Sequence, residues 1–257
     1  MKKFVSAVLL AVAASGAMAS ERVIRFGVDP TFPPFETKTP EGSLAGFDID
    51  LGNAICATLK ARCVWVSNNF DGMIPALKAK KFDAILSAMY VNEKRLKEIA
   101  FTDKLYSGPS FLLAKTGSVA APDVALLKGK HIGVEQGSVQ ETYVKAHWES
   151  QGVAVVAYQN SELVFQDLLL GRLDGAVMSG VEAQDAFLKT SKGKGYSLIG
   201  KSLTDPKIFG VGAAIGVRQG EDKLRQELNV AIATILKNGS YQKIAGKYFN
   251  FDIYNDN

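Results

Sequence analysis

The sequence is poor in the residues that most metal sites and many catalytic sites require, with 2 histidines and 2 cysteines among 257 residues. So few nitrogen and sulfur ligands leave little material for a zinc site or for catalysis centred on a histidine. His131 and His147 have no clear serine, cysteine or aspartate partner in the sequence. The chain also lacks a P-loop and a dinucleotide-binding fingerprint. We therefore predict no cofactor, no metal and no enzymatic activity.

The sequence also lacks a cluster of charge of one sign. Lysine and arginine number 30 against 26 for aspartate and glutamate, and both signs are spread along the chain without a basic block. A nucleic-acid-binding surface needs clustered Lys and Arg, so no nucleic-acid partner is predicted. With 47% apolar and 22% charged residues, the composition is that of an ordinary globular protein and excludes disorder, collagen and coiled coil.

Long apolar runs are missing as well, since a membrane-spanning helix takes about 20 apolar residues. The short run at residues 4–14 follows Lys2 and Lys3 and precedes a small-x-small sequence at 17–19. That order is typical of a secretory signal peptide, so residues 1–19 are predicted to be one and the mature chain to begin near Ser20. The residue directly after the cleavage site is Ser20 and not a cysteine that could carry a lipid anchor. We therefore expect a soluble exported protein that does not span the membrane.

The two cysteines, Cys56 and Cys63, lie at the end of a helical pattern and the start of a strand pattern. In an exported protein such a pair indicates a disulfide that joins the helix to the strand. For a short loop the chain-entropy relation gives about 2–3 kcal/mol of stabilisation at most. Two buried free thiols are the alternative. The spacing is not that of a redox CxxC motif, so the predicted role is structural.

Strand-like and helical patterns alternate along the chain after residue 19. Because a helix that follows a strand usually returns the chain to a parallel neighbour, this alternation predicts an α/β protein with a mostly parallel sheet. The predicted strands are 23–28, 63–66, 83–87, 131–135, 153–157 and 174–178, and the predicted helices are 47–60, 73–80, 141–149 and 163–171.

A weak internal echo divides the chain into two similar halves. Residues 25–29 (RFGVD) resemble 131–135 (HIGVE), and 82–85 (FDAI) resemble 173–176 (LDGA), in the same order in each half. The matching order predicts two similar α/β lobes.

The strand ends of the two predicted lobes suggest a site. Asp29 and Glu135 end corresponding strands, and Ala88 and Ser179 follow a second pair of corresponding strands. Ligands of open α/β sheets bind outside the carboxyl ends of the strands. If the lobes face each other, these four positions line one cleft.

Several motifs together resemble one protein family across the mature chain. The chain is similar to the periplasmic binding proteins for basic amino acids, the histidine and lysine/arginine/ornithine type of solute-binding protein family 3, which feed ABC importers. The segments that carry the resemblance are 26–36 (FGVDPTFPPFE), 46–51 (GFDIDL), 74–78 (IPALK), 93–95 (EKR), 99–102 (IAFT), 129–134 (GKHIGV) and 247–249 (KYF). The spacing of Cys56 and Cys63 also matches the family disulfide.

The resemblance implies a two-lobed clamshell of type II whose cleft closes on the ligand. It implies a small-molecule ligand, a membrane permease of an ABC importer as partner, a location in the periplasm, and a monomer. The implied organisation is a signal peptide at 1–19, a first lobe at 20–108 and 207–257, a second lobe at 109–206, and hinges near 107–111 and 205–210.

The resemblance also implies roles for individual residues. Arg95 corresponds to the arginine that binds the ligand α-carboxylate, for which a guanidinium offers two parallel hydrogen bonds. Ser138 and Val139 lie at a helix start, where a free amide binds an anion. Phe32 and Phe70 correspond to aromatic residues that sandwich the ligand side chain and attract a cation. The plain alternatives are a solvated arginine, an N-cap serine and core phenylalanines.

At four further positions the chain is compared with the family pattern. Asp29 corresponds to the acid that receives the cationic end of the ligand, and a solvated strand-end aspartate is its alternative. Ser179 replaces the aspartate that holds the ligand α-ammonium, and Ala88 replaces the serine that helps it. Losing that carboxylate is expected to cost about 1.5–3 kcal/mol, tenfold to a few hundredfold in affinity. Tyr90 replaces a small residue, and its bulk is expected to shorten or reroute the pocket.

Two explanations for the missing acid stay open. In the first explanation Glu135, where the family often has an apolar residue, supplies the negative charge from the opposite strand end. The alternative interpretation of Glu135 is a charge at the rim that contacts only water. Otherwise the ligand has a substituted or absent α-amine, as in opines. The full predicted ligand-binding set is Asp29, Phe32, Phe70, Ala88, Met89, Tyr90, Arg95, Glu135, Ser138, Val139 and Ser179.

The expected ligand is therefore a basic amino acid (arginine, ornithine, lysine or histidine) or an N-substituted derivative. A dehydratase for cyclohexadienyl acids, built on a similar scaffold with Glu135 or Asp29 as general acid, is a less favoured alternative because no nucleophile–base arrangement is visible. A sensory ligand-binding module is also disfavoured, since the chain shows no transmembrane or signalling segment.

Overall fold

The computed structural model describes residues 21–255, so the predicted signal peptide lies outside the described residues. The strands are β1 (Arg22–Val28), β2 (Thr31–Phe32), β3 (Glu36–Lys38), β4 (Leu44–Ala45), β5 (Ala61–Ser67), β6 (Ala84–Ile85), β7 (Ala100–Tyr106), β8 (Ser110–Lys115), β9 (His131–Glu135), β10 (Ala154–Tyr158), β11 (Gly175–Ser179), β12 (Tyr196–Leu203) and β13 (Ala213–Val217). The helices are α1 (Phe47–Thr58), α2 (Met73–Lys78), α3 (Glu93–Leu96), α4 (Val124–Leu127), α5 (Val139–His147), α6 (Ser161–Leu169), α7 (Gly180–Glu182), α8 (Pro206–Phe209), α9 (Asp222–Lys237) and α10 (Ser240–Ala245).

Two five-stranded sheets share one pattern of connections. The first has the order β5-β1-β6-β13-β7 and the second β10-β9-β11-β8-β12. In the first sheet β5, β1 and β6 pair in parallel, and β13 runs antiparallel to both of its neighbours. In the second sheet β10, β9 and β11 pair in parallel and β8 takes the antiparallel place. All other strands of each sheet point one way, so the α/β, two-lobed class with mostly parallel sheets is confirmed.

The internal echo of the sequence has a packing cause. A Cβ on Gly27 in β1 would lie 2.5 Å from the ring of Phe82, and a Cβ on Gly133 in β9 would lie 2.5 Å from Leu173. In each sheet, therefore, the glycine makes room for the apolar residue that precedes the neighbouring strand. The two resembling segments of each half meet as one packing unit.

The predicted elements agree with the structure in type, and their ends shift by a few residues. Strand β9 has the predicted bounds, whereas the strand predicted at 83–87 shortens to β6 (Ala84–Ile85). The helix predicted at 141–149 begins two residues earlier, because Ser138 caps it and its Oγ accepts the Glu141 amide at 2.9 Å. The pattern analysis did not predict the strands β7, β8, β12 and β13.

The cores lie on both faces of each sheet. On the first sheet, Ile24 and Phe26 of β1 pack with Leu51 of α1 and with Leu228 and Ile232 of α9. The opposite face carries a separate cluster around the buried Met73, Phe82, Ile85 and Met89. The second sheet is covered in the same way by two clusters of its own. Each sheet thus has its own hydrophobic core, which leaves the strand ends free to form a site.

Cys56 and Cys63 form a disulfide between α1 and β5, with their Cα atoms 5.8 Å apart. The predicted pairing is confirmed, and the alternative of two free thiols is excluded. The bond lies in the first sheet's helix–strand connection and does not reach the carboxyl ends of the strands.

The chain passes between the two sheets twice. The first passage lies between β7 and β8, and the second between β12 and β13. In each case the strand that follows the passage takes the antiparallel place in its new sheet. That these passages act as hinges, and the exact lobe boundaries, stay predictions.

Candidate functional site

A cavity lies where the carboxyl ends of β1 and β6 of the first sheet face those of β9 and β11 of the second. Such strand ends present loop side chains and helix starts toward a ligand. The lining residues are Asp29, Phe32, Phe35, Glu36, Phe70, Ser87, Ala88, Tyr90, Arg95, Tyr106, Glu135, Ser138, Val139, Gln140 and Ser179. The structure therefore brings every predicted site residue except Met89 to one cavity.

Met89 does not line the cavity. Its side chain is 2% exposed and packs in the cluster with Phe82 and Ile85. Its neighbours Ala88 and Tyr90 line the cavity instead. Ala88 has φ +46°, in the left-handed region, and this backbone turn helps direct consecutive side chains to different sides. The predicted part of Met89 in ligand binding stays a prediction, with its side chain in the core.

Arg95 is a buried cation without a carboxylate partner in the described part of the chain. It is 7% exposed, and its guanidinium donates to the Tyr90 carbonyl at 2.6 Å and to the Gly137 carbonyl at 3.0 Å. Its backbone is fixed by Asn92, whose side chain caps α3 and accepts the Arg95 amide at 2.9 Å. Burial lowers the pKa of Arg95 to about 10, so it is still charged at neutral pH. A buried, half-satisfied guanidinium is suited to an anionic ligand group.

The second sheet approaches Arg95 through the turn at Gly137. This residue has φ +79°, and a Cβ there would lie 3.0 Å from Cα of Asp71, so glycine serves both the turn and the close approach. Ser138 is the N-cap of α5, as the plain alternative had it, and it also lines the cavity. Val139, the first helical residue, has an amide with no intrahelical acceptor. A carboxylate at Arg95 would meet this helix start.

The two predicted aromatic residues lie on the cavity wall and are half-buried. The Phe70 ring centroid is 5.4 Å from Cζ of Arg95. Phe32 stacks on Phe35, with ring centroids 5.4 Å apart. Both rings therefore present apolar surface to the cavity, while neither is part of the deep core.

Asp29 ends β1 and is 4% exposed. One carboxylate oxygen accepts the Thr31 hydroxyl at 2.7 Å, and the other accepts the Phe70 amide at 2.8 Å. Burial raises the pKa of Asp29, and these two donors oppose that shift. The carboxylate is thus held in place by Thr31 of its own loop and by the segment that follows β5, and it can still accept a further donor.

An acidic network that sequence reasoning missed lies behind Asp29. Ser87 accepts the Asp29 amide at 2.9 Å and donates to Glu36 at 2.8 Å. Asp48, which is fully buried, accepts the Tyr106 hydroxyl at 2.7 Å and the Ala88 amide at 2.9 Å.

Burial raises the pKa of Asp48 to about 6. Burial and the nearby charge of Asp48 hold the pKa of Glu36 well above its ordinary value. Glu36 lies in the segment 26–36 and Asp48 in the segment 46–51. Both segments resemble the family, and this resemblance was the feature of the sequence that could have pointed to the two acids. Their contacts tie the residue 88 backbone and β1 into one rigid wall.

The second sheet contributes a different pair of acids. Glu135 ends β9 and lines the cavity, and no described residue forms an ion pair with it. Burial, followed by the charges of Glu182 and Asp29, raises its pKa well above the ordinary value. Glu182, in α7, is fully buried, and neither of its carboxylate oxygens has a well-formed hydrogen bond among the described residues. Burial raises the pKa of Glu182 to about 8.

Sequence reasoning overlooked Glu182. It lies one helical turn after Ser179, whose Oγ is the N-cap acceptor for the Glu182 amide at 3.5 Å. The available signal was an acid three positions after the serine that replaces the family aspartate, a spacing that keeps both on one helix face.

Tyr90 lines the cavity with its ring while its hydroxyl points to the first passage between the sheets. The hydroxyl donates to the Gly108 carbonyl and accepts the Gly108 amide, both at 2.8 Å. Burial raises the pKa of Tyr90 to about 12, so the phenol stays neutral. The ring of Tyr90 thus forms part of the cavity wall, and its hydroxyl connects that wall to the segment that joins the two sheets.

The two sheets are in contact at the mouth of the cavity. Besides the Arg95–Gly137 bond, Gln136 donates to Asp71 at 3.0 Å. These contacts define a closed arrangement in which Arg95 spans the two walls. Within residues 21–255, no group of three or more His, Cys, Asp or Glu side chains is placed to hold a metal ion.

Comparison with known proteins places the chain in a family. Residues 24–251 match the bacterial extracellular solute-binding proteins, family 3. The chain is 46% identical to the lysine/arginine/ornithine-binding periplasmic protein of Escherichia coli over 100% of both chains, and 45% identical to the histidine-binding periplasmic protein of that organism over 99% of both. An arginine-specific periplasmic binding protein of Salmonella typhimurium matches the fold with a TM-score of 0.83 at 30% identity, covering 89% of this chain and 100% of the other.

The protein therefore belongs to the bacterial extracellular solute-binding proteins of family 3, as the motifs predicted. These relatives are named as binding proteins rather than enzymes, in agreement with the prediction for this chain. Among the helices of residues 21–255, none combines the length and apolar character that a bilayer crossing requires.

Proposed function

We propose that the protein captures a basic amino acid, or an N-substituted derivative of one, in the cavity between its sheets and delivers it to the permease of an ABC importer. The observation that carries this proposal is Arg95, a buried cation that no described carboxylate pairs. A carboxylate of the ligand completes its coordination, because a guanidinium and a carboxylate match in geometry and charge.

The acids on the cavity wall argue that the ligand is also cationic. Asp29 on one wall and Glu135 on the other leave negative charge in a space bordered by Phe32 and Phe70. Such a setting attracts an ammonium or guanidinium group over the aromatic faces. The relatives bind lysine, arginine, ornithine or histidine according to their names. The ligand proposed here belongs to the same class.

A thermal-shift and calorimetric screen tests the proposal. The panel contains L-arginine, L-lysine, L-ornithine and L-histidine, with L-glutamate and L-leucine as charge and size controls. A ligand that binds only the folded state raises the melting temperature with its concentration above Kd. At least one basic amino acid should bind with Kd in the micromolar range or below, and the controls should not. Binding of none of the basic compounds contradicts the proposal.

The anchor role of Arg95 is tested in the same assay with Arg95→Lys. Lysine keeps the charge and loses the second parallel hydrogen bond, so affinity should fall at least tenfold. Lys94→Ala, which removes a neighbouring exposed cation, is the matched control and should leave affinity unchanged. Equal affinity of Arg95→Lys and the unaltered protein would show that the carboxylate binds elsewhere.

An N-substituted ligand such as an opine is the second candidate, favoured by the substitution of the family acid by Ser179 and of its serine by Ala88. Adding octopine and N-acetylated basic amino acids to the panel separates the two candidates. Tighter binding of the substituted compounds favours the second, and a free-amine preference favours the first. The variant Ser179→Asp should shift preference toward unmodified amino acids.

Export to the periplasm is part of the proposal. It is supported by the signal-peptide pattern at residues 1–19 and by the periplasmic location in the names of the relatives. Expression in a Gram-negative host followed by osmotic-shock release tests it. Intact-mass analysis should show cleavage after Ala19, and an uncleaved chain retained in the cytoplasm would contradict this part.

A further inference from the structure

Glu182 is a buried acid that no contact within the described chain explains. It is 0% exposed, and neither of its carboxylate oxygens has a well-formed hydrogen bond among the described residues. The only hydroxyl that favours its ionised form is that of Ser161, at the start of α6. A buried carboxyl in this state costs folding free energy, because its hydrogen bonds with water are lost and not replaced. Stability of the empty protein therefore does not account for Glu182.

The side chain of Glu182 borders a chamber that adjoins the main cavity. The residues that line both spaces are Phe32, Glu135, Ser138, Gln140 and Ser179. The residues that line only the chamber are Ser161, Val177, Met178 and Glu182. The chamber that Glu182 borders therefore lies directly beside the ligand cavity, although the pattern analysis assigned no role to Glu182.

The charges around Glu182 are negative. The charge of Glu182 raises the pKa of Glu135 at the end of β9, and the charge of Asp29 at the end of β1 raises the pKa of both acids; the charge of Asp71 raises that of Glu135 further. The only cation among the lining residues of the main cavity is Arg95, which none of these acids pairs. Two carboxyls that repel each other across a chamber are stabilised by a cation placed between them.

We propose that Glu182 and Glu135 form an acidic subsite on the second-sheet wall that accepts a cationic group of the ligand, with Glu182 as a specificity-determining residue. The inference rests on the proposed function, since it assumes that an amino acid occupies the cavity with its carboxylate at Arg95. It assigns the missing negative charge to a position one helical turn beyond Ser179. The ligand class this subsite selects carries at least one ammonium or guanidinium group in addition to its carboxylate.

The test is a double-mutant cycle between the protein side chain and the ligand. Glu182→Gln keeps the size of the side chain and removes its charge. Three ligands are compared by calorimetry: L-arginine, 5-guanidinopentanoate, which lacks the α-ammonium, and L-citrulline, whose side chain is neutral. Glu149→Gln, an exposed acid of the second sheet's helical layer, is the matched control.

In the unaltered protein, arginine should bind at least tenfold more tightly than one of the two analogues. Glu182→Gln should reduce that preference at least fivefold, whereas Glu149→Gln should leave it within twofold. The analogue whose affinity difference from arginine shrinks in Glu182→Gln identifies which cationic group of the ligand the subsite holds. Preferences that stay within twofold in Glu182→Gln for both analogues overturn the inference.

Two further results keep the test decisive. If the unaltered protein binds neither arginine nor the other basic amino acids of the panel, the proposed function fails, which is distinct from a failure of the subsite.

Glu182→Asp keeps the charge on a shorter side chain and should retain more of the preference for arginine than Glu182→Gln. The double variant Glu135→Gln/Glu182→Gln should lose less preference than the product of the single losses, because both acids serve one cation. Independent effects of the two variants contradict a shared subsite.

Discussion

The two walls of the cavity carry acids in opposite states. On the first-sheet wall, Asp29 accepts hydrogen bonds from the Thr31 hydroxyl and the Phe70 amide, and Asp48 accepts the Tyr106 hydroxyl and the Ala88 amide. On the second-sheet wall, Glu135 has no ion-pair partner and Glu182 has no well-formed hydrogen bond among the described residues. Asp29 and Asp48 on the first wall are therefore satisfied by the protein, where only Oε2 of Glu36 lacks a partner among the described residues, whereas both oxygens of Glu182 on the second wall still require one.

The difference separates two uses of buried acids. Satisfied acids fix backbone positions, as Asp48 does for residue 88, and their loss should mainly reduce folding stability. Unsatisfied acids reduce stability and are explained by what they bind. Variants of the two walls should consequently change stability in opposite directions.

The largest effect is expected for Asp48→Ala on the first wall. The substitution leaves the Tyr106 hydroxyl and the Ala88 amide without their acceptor, each at a cost of about 1–3 kcal/mol. Urea unfolding should show a loss of about 2–4 kcal/mol. Asp50→Asn, which removes an ion pair with Lys247 at the surface, should cost less than about 1 kcal/mol. Equal losses in the two variants would contradict the structural role of Asp48.

The disulfide provides a stability loss that is independent of both walls. Replacing Cys56 and Cys63 with serine removes the cross-link between α1 and β5 and should cost about 2 kcal/mol for so short a loop. Ligand affinity, measured well below the melting temperature, should stay within about twofold because the bond lies away from the cavity. A large loss of affinity would mean that reduced stability alone weakens binding, and the wall variants would need the same correction.

On the second wall, Glu182→Gln should stabilise the ligand-free protein at pH 8. The folded-state pKa of about 8 lies above the ordinary value of 4.5, so the folded state holds its proton to higher pH than the unfolded chain does. As the pH rises from 4.5 to 8, the unfolded chain ionises first and the native protein loses stability relative to the variant.

The expected gain in stability is at least about 2 kcal/mol at pH 8 and near zero at pH 4. Melting temperatures of the two proteins across this range measure it. A variant that is less stable than the unaltered protein at pH 8 would show that the Glu182 carboxyl makes stabilising contacts after all.

The smallest expected effect is the change of ligand affinity with pH. Burial raises the pKa of Glu135 well above its ordinary value and that of Glu182 to about 8, so Glu182 is largely protonated at pH 7. A ligand cation favours the ionised forms of both acids. Binding should therefore release protons, and affinity for arginine should rise about three- to tenfold from pH 6 to pH 8. Calorimetry in phosphate and in Tris, which differ in ionisation enthalpy, counts the protons; Glu182→Gln should release fewer. An affinity that is flat over this range contradicts proton displacement.

Local patterns predicted the parts of the fold that local sequence determines. The echo at Gly27 and Gly133 located β1 and β9, because the glycine and the apolar residue it accommodates belong to one packing unit. The antiparallel β13 was missed, since its pairing with β6 and β7 joins segments far apart in sequence. Its all-buried burial pattern also lacks the alternation that marks a half-exposed strand.

The candidate site was predictable where a residue lies in a recognisable motif. Arg95 and Asp29 were found in this way, and the structure places both at the cavity. Glu182 was missed because the family resemblance points to position 179 itself, whereas the acidic side chain lies one helical turn further along the chain. Met89 was predicted to bind the ligand, but its side chain packs in the core, and the left-handed backbone at Ala88 lies just before it. Side-chain direction depends on backbone torsion, which the sequence did not specify at that point.

The contacts at the cavity mouth bear on how long a captured molecule stays. Arg95 donates to Gly137 and Gln136 donates to Asp71 across the gap. Under the proposed function these bonds have to break before the molecule escapes, so the residence time follows the opening rate of the protein, whatever the strength of the individual ligand contacts. A transport partner that separates the two rims would then unload its cargo without competing for any of the groups that hold it.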